Sequence, residues 1–547
     1  MKSVMNHNFS LVPDIGNIQR SVFDRGHGYK TAFNEGYLIP FYCDEALPGD
    51  TFKCRSTLFV RMTTPFLPVM DNIFLETFYF AVPYRLLWEN WQRFCGEQDN
   101  PDDPTDFLIP QVETGEFNSI AVNDIFDYMG IPTGINNIKF SALWARAYNL
   151  IWNQWFRDQN LQDSVVVPRT AGPDAMGLYA LLPRNKKHDY FTSCLPDPQR
   201  GPGVEIPLGG TAPVYGNGMS LGLTTGSEGA NFGFIEEIST GFTDQTIVSD
   251  LAAIDLAAGT VVDGDQSTGD SNLAIGVIPD GTRSGLIADL SHATAATINS
   301  LRQAFQLQKF FERDARGGTR YVEKIRSHFG VISPDYRMQR PEYLGGSSSR
   351  IMVNPVQQTS ATDSTTPQGH LAAYALGTNS NGGFTKSFTE HCVIIGLVTV
   401  RADITYQYGM ARMFSRRTPQ DLYWPVFAHL GEQAVLNKEI YMQGPGHTPG
   451  DDDVFGYQER YAEYRYFPSQ ITGILRSQAA TSLDKWHLAE KFITLPGLNE
   501  TFISTPPDIG RISAVPSEPH FVMDSYIELS CARPMPTYSV PGLIDHF

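Results

Sequence analysis

The sequence predicts a mainly β protein. A single β framework takes its first and last strands from opposite ends of the chain, and long insertions carrying helices and loops interrupt it. Three stretches carry this reading. In 51–63, Phe52, Cys54, Leu58, Val60 and Met62 share one parity while Lys53, Arg55, Thr57 and Arg61 share the other; only Ser56 and Phe59 break the alternation. That is the pattern of a strand with one buried face. In 73–82 both parities are apolar or aromatic apart from Glu76 and Thr77, so both faces of the sheet need cover. In 521–531, Phe521, Met523, Ile527, Leu529 and Cys531 lie on one face and Asp524, Glu528 and Ser530 on the other. A strand so late in the chain has partners hundreds of residues earlier, a closure typical of barrels and sandwiches.

Composition sets the limits. The 547 residues suffice for a sizeable core. The 48 glycines and 36 prolines are scattered throughout, as turns and long loops around a β framework require. Aromatics make up 12% and charged residues only 18%, which leaves apolar surface suited to meeting other subunits. A net charge of −18 argues against this chain alone coating phosphates. The six cysteines stand far apart without a C-x-x-C, as expected of reduced, packed thiols in a cytoplasmic product. MKSVMNHNFS lacks an apolar core, so no signal peptide is expected. The longest apolar run, 392–398, is too short to span a bilayer, and no membrane insertion is expected.

In chain order, residues 1–36 are polar and weakly periodic. They predict an extended arm that cannot order by itself. Segment 37–83 holds the first strands: YLIPFYC at 37–43 is expected beside, or leading into, the strand that starts at Thr51. From 84 to 208 runs one long excursion. Trp88, Trp91 and Phe94 begin a helical turn or two, and NDIFDYMG predicts a short helix capped by Asn123 or Asp124 and ended by Gly130. Phe140, Leu143, Trp144, Ala147, Ile151 and Trp155 recur at helical spacing, which predicts a helix laid on an apolar surface.

Segment 209–298 differs in kind. Its 90 positions hold 15 glycines, 11 acidic residues and one basic residue, Arg283. FGFIEEI and LAIGVI suggest short strands, so a small acidic surface subdomain is expected rather than a linker. Segment 299–390 brings two helices, LRQAFQLQKFFERDAR and TRYVEKIRSHFG, and then a Ser/Thr/Gly-rich stretch, 345–383, that reads as loop. Segment 391–547 returns to strand: HCVIIGLVTVRA is apolar on both faces, and the alternating stretch at 521–531 follows.

TTPFLPVMDNIFLETFYFAVPYRLLWENW, DYFTSCLPDPQRG, EHCVIIGLVTVRADITYQYG and YIELSCARPMPTYSVPGL resemble the major capsid proteins of Microviridae, gokushovirus type. The match lies on both sides of the 209–298 segment. The resemblance implies an eight-stranded viral jelly roll with large insertions. It further implies sixty copies in a T=1 icosahedral shell around circular single-stranded DNA, assembled in the bacterial cytoplasm. On this reading 209–298 is a surface protrusion, with Phe232, Phe234, Phe242, Asp263 and Asp265 as host-contact residues. The implied partners are copies of the chain, the packaged DNA, a small basic DNA-binding protein, a minor pilot or spike protein and a host surface receptor.

The residues themselves give no G-x-x-x-x-G-K-[ST], G-x-G-x-x-G, H-E-x-x-H or G-x-S-x-G. No catalytic residue, metal or cofactor is expected. His188-Asp189 beside Cys194 is the nearest thing to a thiol and base, and reads as a packed loop. DGDQSTGD at 263–270 lacks the glycine and glutamate of a calcium loop. A jelly-roll carbohydrate-binding or carbohydrate-active protein is the alternative, and it would need an opposed carboxylate pair in a cleft. Arg412, Arg416 and Arg417, with Tyr406, Tyr408 and Phe414 nearby, suit single-stranded DNA through phosphate pairing and base stacking. They would equally serve by bridging acidic neighbours within or between subunits.

Overall fold

The computed structural model describes residues 19–116, 118–201, 203–204, 298–360, 362 and 367–538, with short strands inside 214–288. It falls into two compact units, Met1–Arg200 with Glu312–Phe547, and Gly201–Phe311.

The first unit is built on one antiparallel sheet of nine strands. In chain order they are β1 (Ser21–Asp24), β2 (His27–Phe33), β3 (Ile39–Ala46), β4 (Thr51–Met62), β5 (Ile73–Pro83), β6 (Glu342–Gln357), β7 (Leu371–Ser387), β8 (Cys392–Ala402) and β9 (Phe521–Arg533). Across the sheet they run β1-β9-β4-β7-β6-β5-β8-β3, and β2 shares the edge of β9 with β1. The nine strands fill eight positions across the sheet, because β1 and β2, both from the arm, share one edge of β9.

β4 is the frame. Every second residue from Phe52 to Met62 is buried and every second one is exposed. The two residues that break the apolar pattern still obey the parity: Ser56 is buried and Phe59 faces out. Ser56 is tolerated inside because its hydroxyl accepts a hydrogen bond from Tyr79 at 2.6 Å. β9 lies against β4 from Phe521↔Met62 to Ala532↔Thr51, so the long-range closure read from the sequence is present.

The sheet curls into a half-barrel, the framework of a jelly roll with insertions. Ser56 on β4 and Tyr79 on β5 meet although two strands lie between them in the sheet. The outermost strands also approach each other. Arg25, just after β1, donates to both carboxylate oxygens of Asp44 on β3, at 2.7 and 3.0 Å. The curl encloses a core that includes Phe52, Leu58, Val60, Leu75, Tyr79, Ile394, Val398, Met523 and Ile527.

β5 and β8 are covered on both sides, as their composition requires. Phe80, Val82, Val393, Ile395 and Leu397 turn away from the first core into a second, formed with helix α1 (Leu143–Ile151). α1 is shorter than the apolar spacing predicts, because residues 152–156 widen into a π-helical turn and Phe140 sits in a short strand. Tyr148 on α1 pins this layer to the sheet, donating to the Leu38 carbonyl at 2.8 Å. The short helix Ile125–Tyr128 is capped by Asp124. Helices α2 (Ile298–Gly317) and α3 (Tyr321–Phe329) occupy the two stretches predicted for them, and α3 ends at Gly330.

The 37–43 segment, extended to β3, leads into β4 through the turn at 47–50, the second of the two arrangements expected, but it pairs with β8 and not with β4. It therefore stands at an edge of the sheet. One expectation fails. The 345–383 segment is no loop; β6 and β7 form a long hairpin that bridges β5 and β4. Its small residues lie where neighbouring strands come too close for side chains. A Cβ at Gly346 would stand 2.2 Å from the Thr77 carbonyl oxygen, and one at Gly383 2.3 Å from that of Cys54. Ser347 bonds Thr77 and Asn379, both at 2.8 Å, so the polar composition is satisfied within the sheet. The arm from Ser21 onward is ordered by β9, to which both its strands pair.

In the second unit, Val214–Gly216 pairs with Leu286–Ala288, Gly222–Thr225 with Leu273–Gly276, and Thr246–Ser249 with Ala252–Asp255, all antiparallel and nested. LAIGVI thus supplies a strand. FGFIEEI and residues 1–18 lie outside the described residues, as do Phe232, Phe234, Phe242, Asp263 and Asp265.

Candidate functional site

Between β8 and β9 the chain builds the ground on which the arginine group stands. A strand pair, Gln433–Leu436 with Val454–Gln458, and the loop around 189–195 pack into a third apolar cluster. It includes Tyr190, Phe191, Cys194, Tyr406, Val435, Ile440, Phe455 and Phe502. The DYFTSC sequence folds as it does because Asp189 accepts from the Phe191 and Thr192 amides at 2.9 and 2.8 Å. The same carboxylate takes the Tyr406 hydroxyl at 2.7 Å. Asp189 is therefore a turn-former. Cys194 is buried, and burial pushes its thiol up, away from the thiolate. His188 is exposed. These three residues do not form a nucleophile and base.

The structure brings the predicted arginines to this cluster and pairs two of them with acids. Arg412 donates to the Ala434 carbonyl at 2.7 Å and to Glu439 at 3.0 Å, and lies 3.8 Å from Glu463. Arg416 reaches Glu463 at 3.3 Å and stacks over the Tyr464 ring with 4.3 Å to its centroid. Glu439 is buried; burial pushes its carboxyl up, opposed by Arg412 and by the Leu436 amide and Tyr190 hydroxyl that donate to it. Gln433 donates to the second oxygen of Glu463 at 3.0 Å. Arg417 is different: it is exposed, and its charge acts only at a distance, on the exposed Asp452 carboxylate. Phe414 is exposed, while Tyr406 and Tyr408 are buried.

Sequence reasoning missed Glu439 and Glu463. They stand 27 residues from Arg412 and 47 from Arg416 in the chain, and no local pattern joins them. Together with Arg412 and Arg416 they line a small cavity of about 80 Å³. Both of its carboxylates are engaged by guanidinium groups, so they are not the free opposed pair that glycoside hydrolysis requires. Other arginines are likewise balanced. Arg340 bonds Asp335, Arg401 bonds Glu76 and Arg465 bonds Glu459. Among the described residues no group of three His, Cys, Asp or Glu could hold a metal, and no helix is long and apolar enough to cross a membrane. All six cysteines are free thiols; burial pushes Cys43, Cys54 and Cys392 up to about 12.

The arrangement is one of scaffolding, with closed ion pairs beneath an exposed aromatic surface. Comparison with known proteins agrees. A family model described as "Capsid protein (F protein)" matches residues 12–543. The chain belongs to this capsid protein family. Capsid protein VP1 of Chlamydia phage 1 is 45% identical over 589 aligned residues, 99% of this chain and 98% of that protein. Capsid protein VP1 of Bdellovibrio phage phiMH2K is 46% identical over 556, again 99% and 98%. Capsid protein VP1 of Spiroplasma virus 4 is 36% identical over 560, 98% and 97%. The chain is thus a structural capsid subunit, a virion component that assembles with copies of itself.

Proposed function

We propose that this capsid protein forms, in sixty copies, a closed T=1 shell around circular single-stranded DNA, assembled in the cytoplasm of a bacterial host. The observation that carries this reading is the curled sheet, with β9 laid along β4 and the edges latched by Arg25 and Asp44, in a chain that matches capsid proteins over nearly its whole length. Such a wall is rigid enough to tile, and its insertions supply the contacts. Segment 209–298 turns outward and meets a host surface receptor, with Phe232, Phe234, Phe242, Asp263 and Asp265 as contact residues; its acidic, glycine-rich composition supports this. A small basic protein neutralises most of the genome, since a chain of net charge −18 cannot, and a minor pilot or spike protein completes the particle.

Electron microscopy of the purified chain tests the shell: uniform closed particles are expected, and a lone monomer under all assembly conditions would refute it. Deleting 209–298 should leave particles intact and abolish adsorption to host cells; unchanged adsorption would overturn the attachment reading. Arg412 and Arg416 would meet phosphate only beside Glu439 and Glu463, and Arg417 only near Asp452. Replacing all three by Gln tests the genome contact: a lower DNA content per particle would assign the group to the genome, and an unchanged content removes it.

A further inference from the structure

We propose that the loop 411–431, with the turn 461–467 beside it, is a surface at which this chain packs against a second copy of itself. The proposal rests on the shell reading and says which face does the packing. The two segments expose large apolar side chains at a density unusual for a free surface: Phe414 is 71% exposed, Trp424 50%, Val426 85% and Phe467 69%. Scattered exposed hydrophobics are normal, but a concentration of them marks an interaction site.

The surface is fixed in advance. Short 3₁₀ turns at Arg412–Phe414, Pro419–Asp421 and Pro425–Phe427 shape the loop, and Asp421 accepts from the Arg417 and Thr418 amides at 2.9 and 2.7 Å. The Trp424 indole donates to the Pro419 carbonyl at 2.7 Å, and Tyr423 stands edge-on to Tyr461 at 5.2 Å. Rings held in place lose little freedom on contact, as suits the core of an interface.

Charge decides between protein and nucleic acid as the occupant. Binding a phosphate backbone needs uncompensated cations, yet Arg412 and Arg416 are closed onto Glu439 and Glu463. What remains is aromatic and nearly neutral, because Arg417, the remaining arginine of the loop, lies within electrostatic reach of the Asp452 carboxylate. Two copies carrying −18 each repel except where a face shows no net negative charge, and this face is such a place. A capsid subunit meets copies of itself, so the occupant is a second copy.

The test is the full chain carrying Phe414→Ser, Val426→Ser and Phe467→Ser. These side chains are exposed, so circular dichroism and the urea midpoint should match the wild type, while the assembled fraction seen by sedimentation falls at least about tenfold. A second measurement does not depend on that variant's folding. Val426→Cys, in a Cys95→Ser background to remove the exposed native thiol, should give covalent dimers in particles treated with a short bifunctional thiol reagent. Normal particles from the triple variant would overturn the proposal, as would only monomers from the cross-linking. Normal assembly with less packaged DNA would assign the surface to the genome and overturn it too. Wild-type chains that never form particles would instead sink the shell reading beneath it.

Discussion

Asp174→Ala would strip the helical layer of its one fully buried ion pair among the described residues. Arg146, on α1, is 0% exposed and Asp174 5%. The guanidinium donates to the two carboxylate oxygens at 2.7 and 2.6 Å, and to the Leu87 carbonyl at 3.1 Å. The Tyr179 hydroxyl donates to the same carboxylate at 2.6 Å. Removing the carboxylate leaves a buried cation with one carbonyl partner and a buried phenol with none. Loss of one member of such a pair costs about 3–5 kcal/mol, and the orphaned hydroxyl adds about 1–3 kcal/mol. These losses are not additive, so a total of about 4 kcal/mol or more is expected. Urea unfolding followed by tryptophan fluorescence reads this layer directly, because Trp88, Trp144, Trp152 and Trp155 all pack in it. The double variant Arg146→Met/Asp174→Leu removes both charges and should return to within about 2 kcal/mol of the wild type. A loss below about 1 kcal/mol in Asp174→Ala, or a double variant no better than the single, would refute the reasoning.

Ser56→Ala leaves the buried Tyr79 hydroxyl without its acceptor and should cost about 1–3 kcal/mol in urea, most of it absent when Tyr79→Phe is already in place. Gly383→Ala should lower the melting temperature: φ is +145° and the new Cβ would meet the Cys54 carbonyl oxygen at 2.3 Å, an overpacking worth about 1–3 kcal/mol. His520 bonds Glu35 at 2.8 Å, and that bond raises its pKa above the ordinary 6.5. A raised folded pKa stabilises fully below the unfolded value and is lost as pH rises through the folded one. The wild type should therefore out-melt His520→Gln at about pH 6 and lose that margin by about pH 9; a margin that grows with pH would contradict the pairing.

The strands legible in the sequence were those whose burial is one-sided or complete. β4 and β9 show their buried face as strict alternation, and β5 and β8 show theirs as unbroken apolar runs. β6 and β7 were illegible because interior positions facing close neighbour strands favour glycine and serine, residues that otherwise mark loops. The partner of β3 could not be read, since an apolar run says that a strand is covered and not by which neighbour. At the candidate site the arginines were visible as a group. Their state was not, because it depends on Glu439 and Glu463, brought near only by the strand pair Gln433–Leu436 and Val454–Gln458.

The zipping of β9 onto β4 also sets a clock. Thr63 donates to the His520 carbonyl at 3.2 Å across 457 residues of chain. At ribosomal speeds of about 5–20 residues per second, β4 waits roughly 20–90 s for its neighbour to be synthesised. Until then its edge is unpaired, and the framework cannot finish. A chain that ends before β9 lacks the strand that β4 pairs with from Thr51 to Met62, so the topology ties completion of the sheet to completion of the chain.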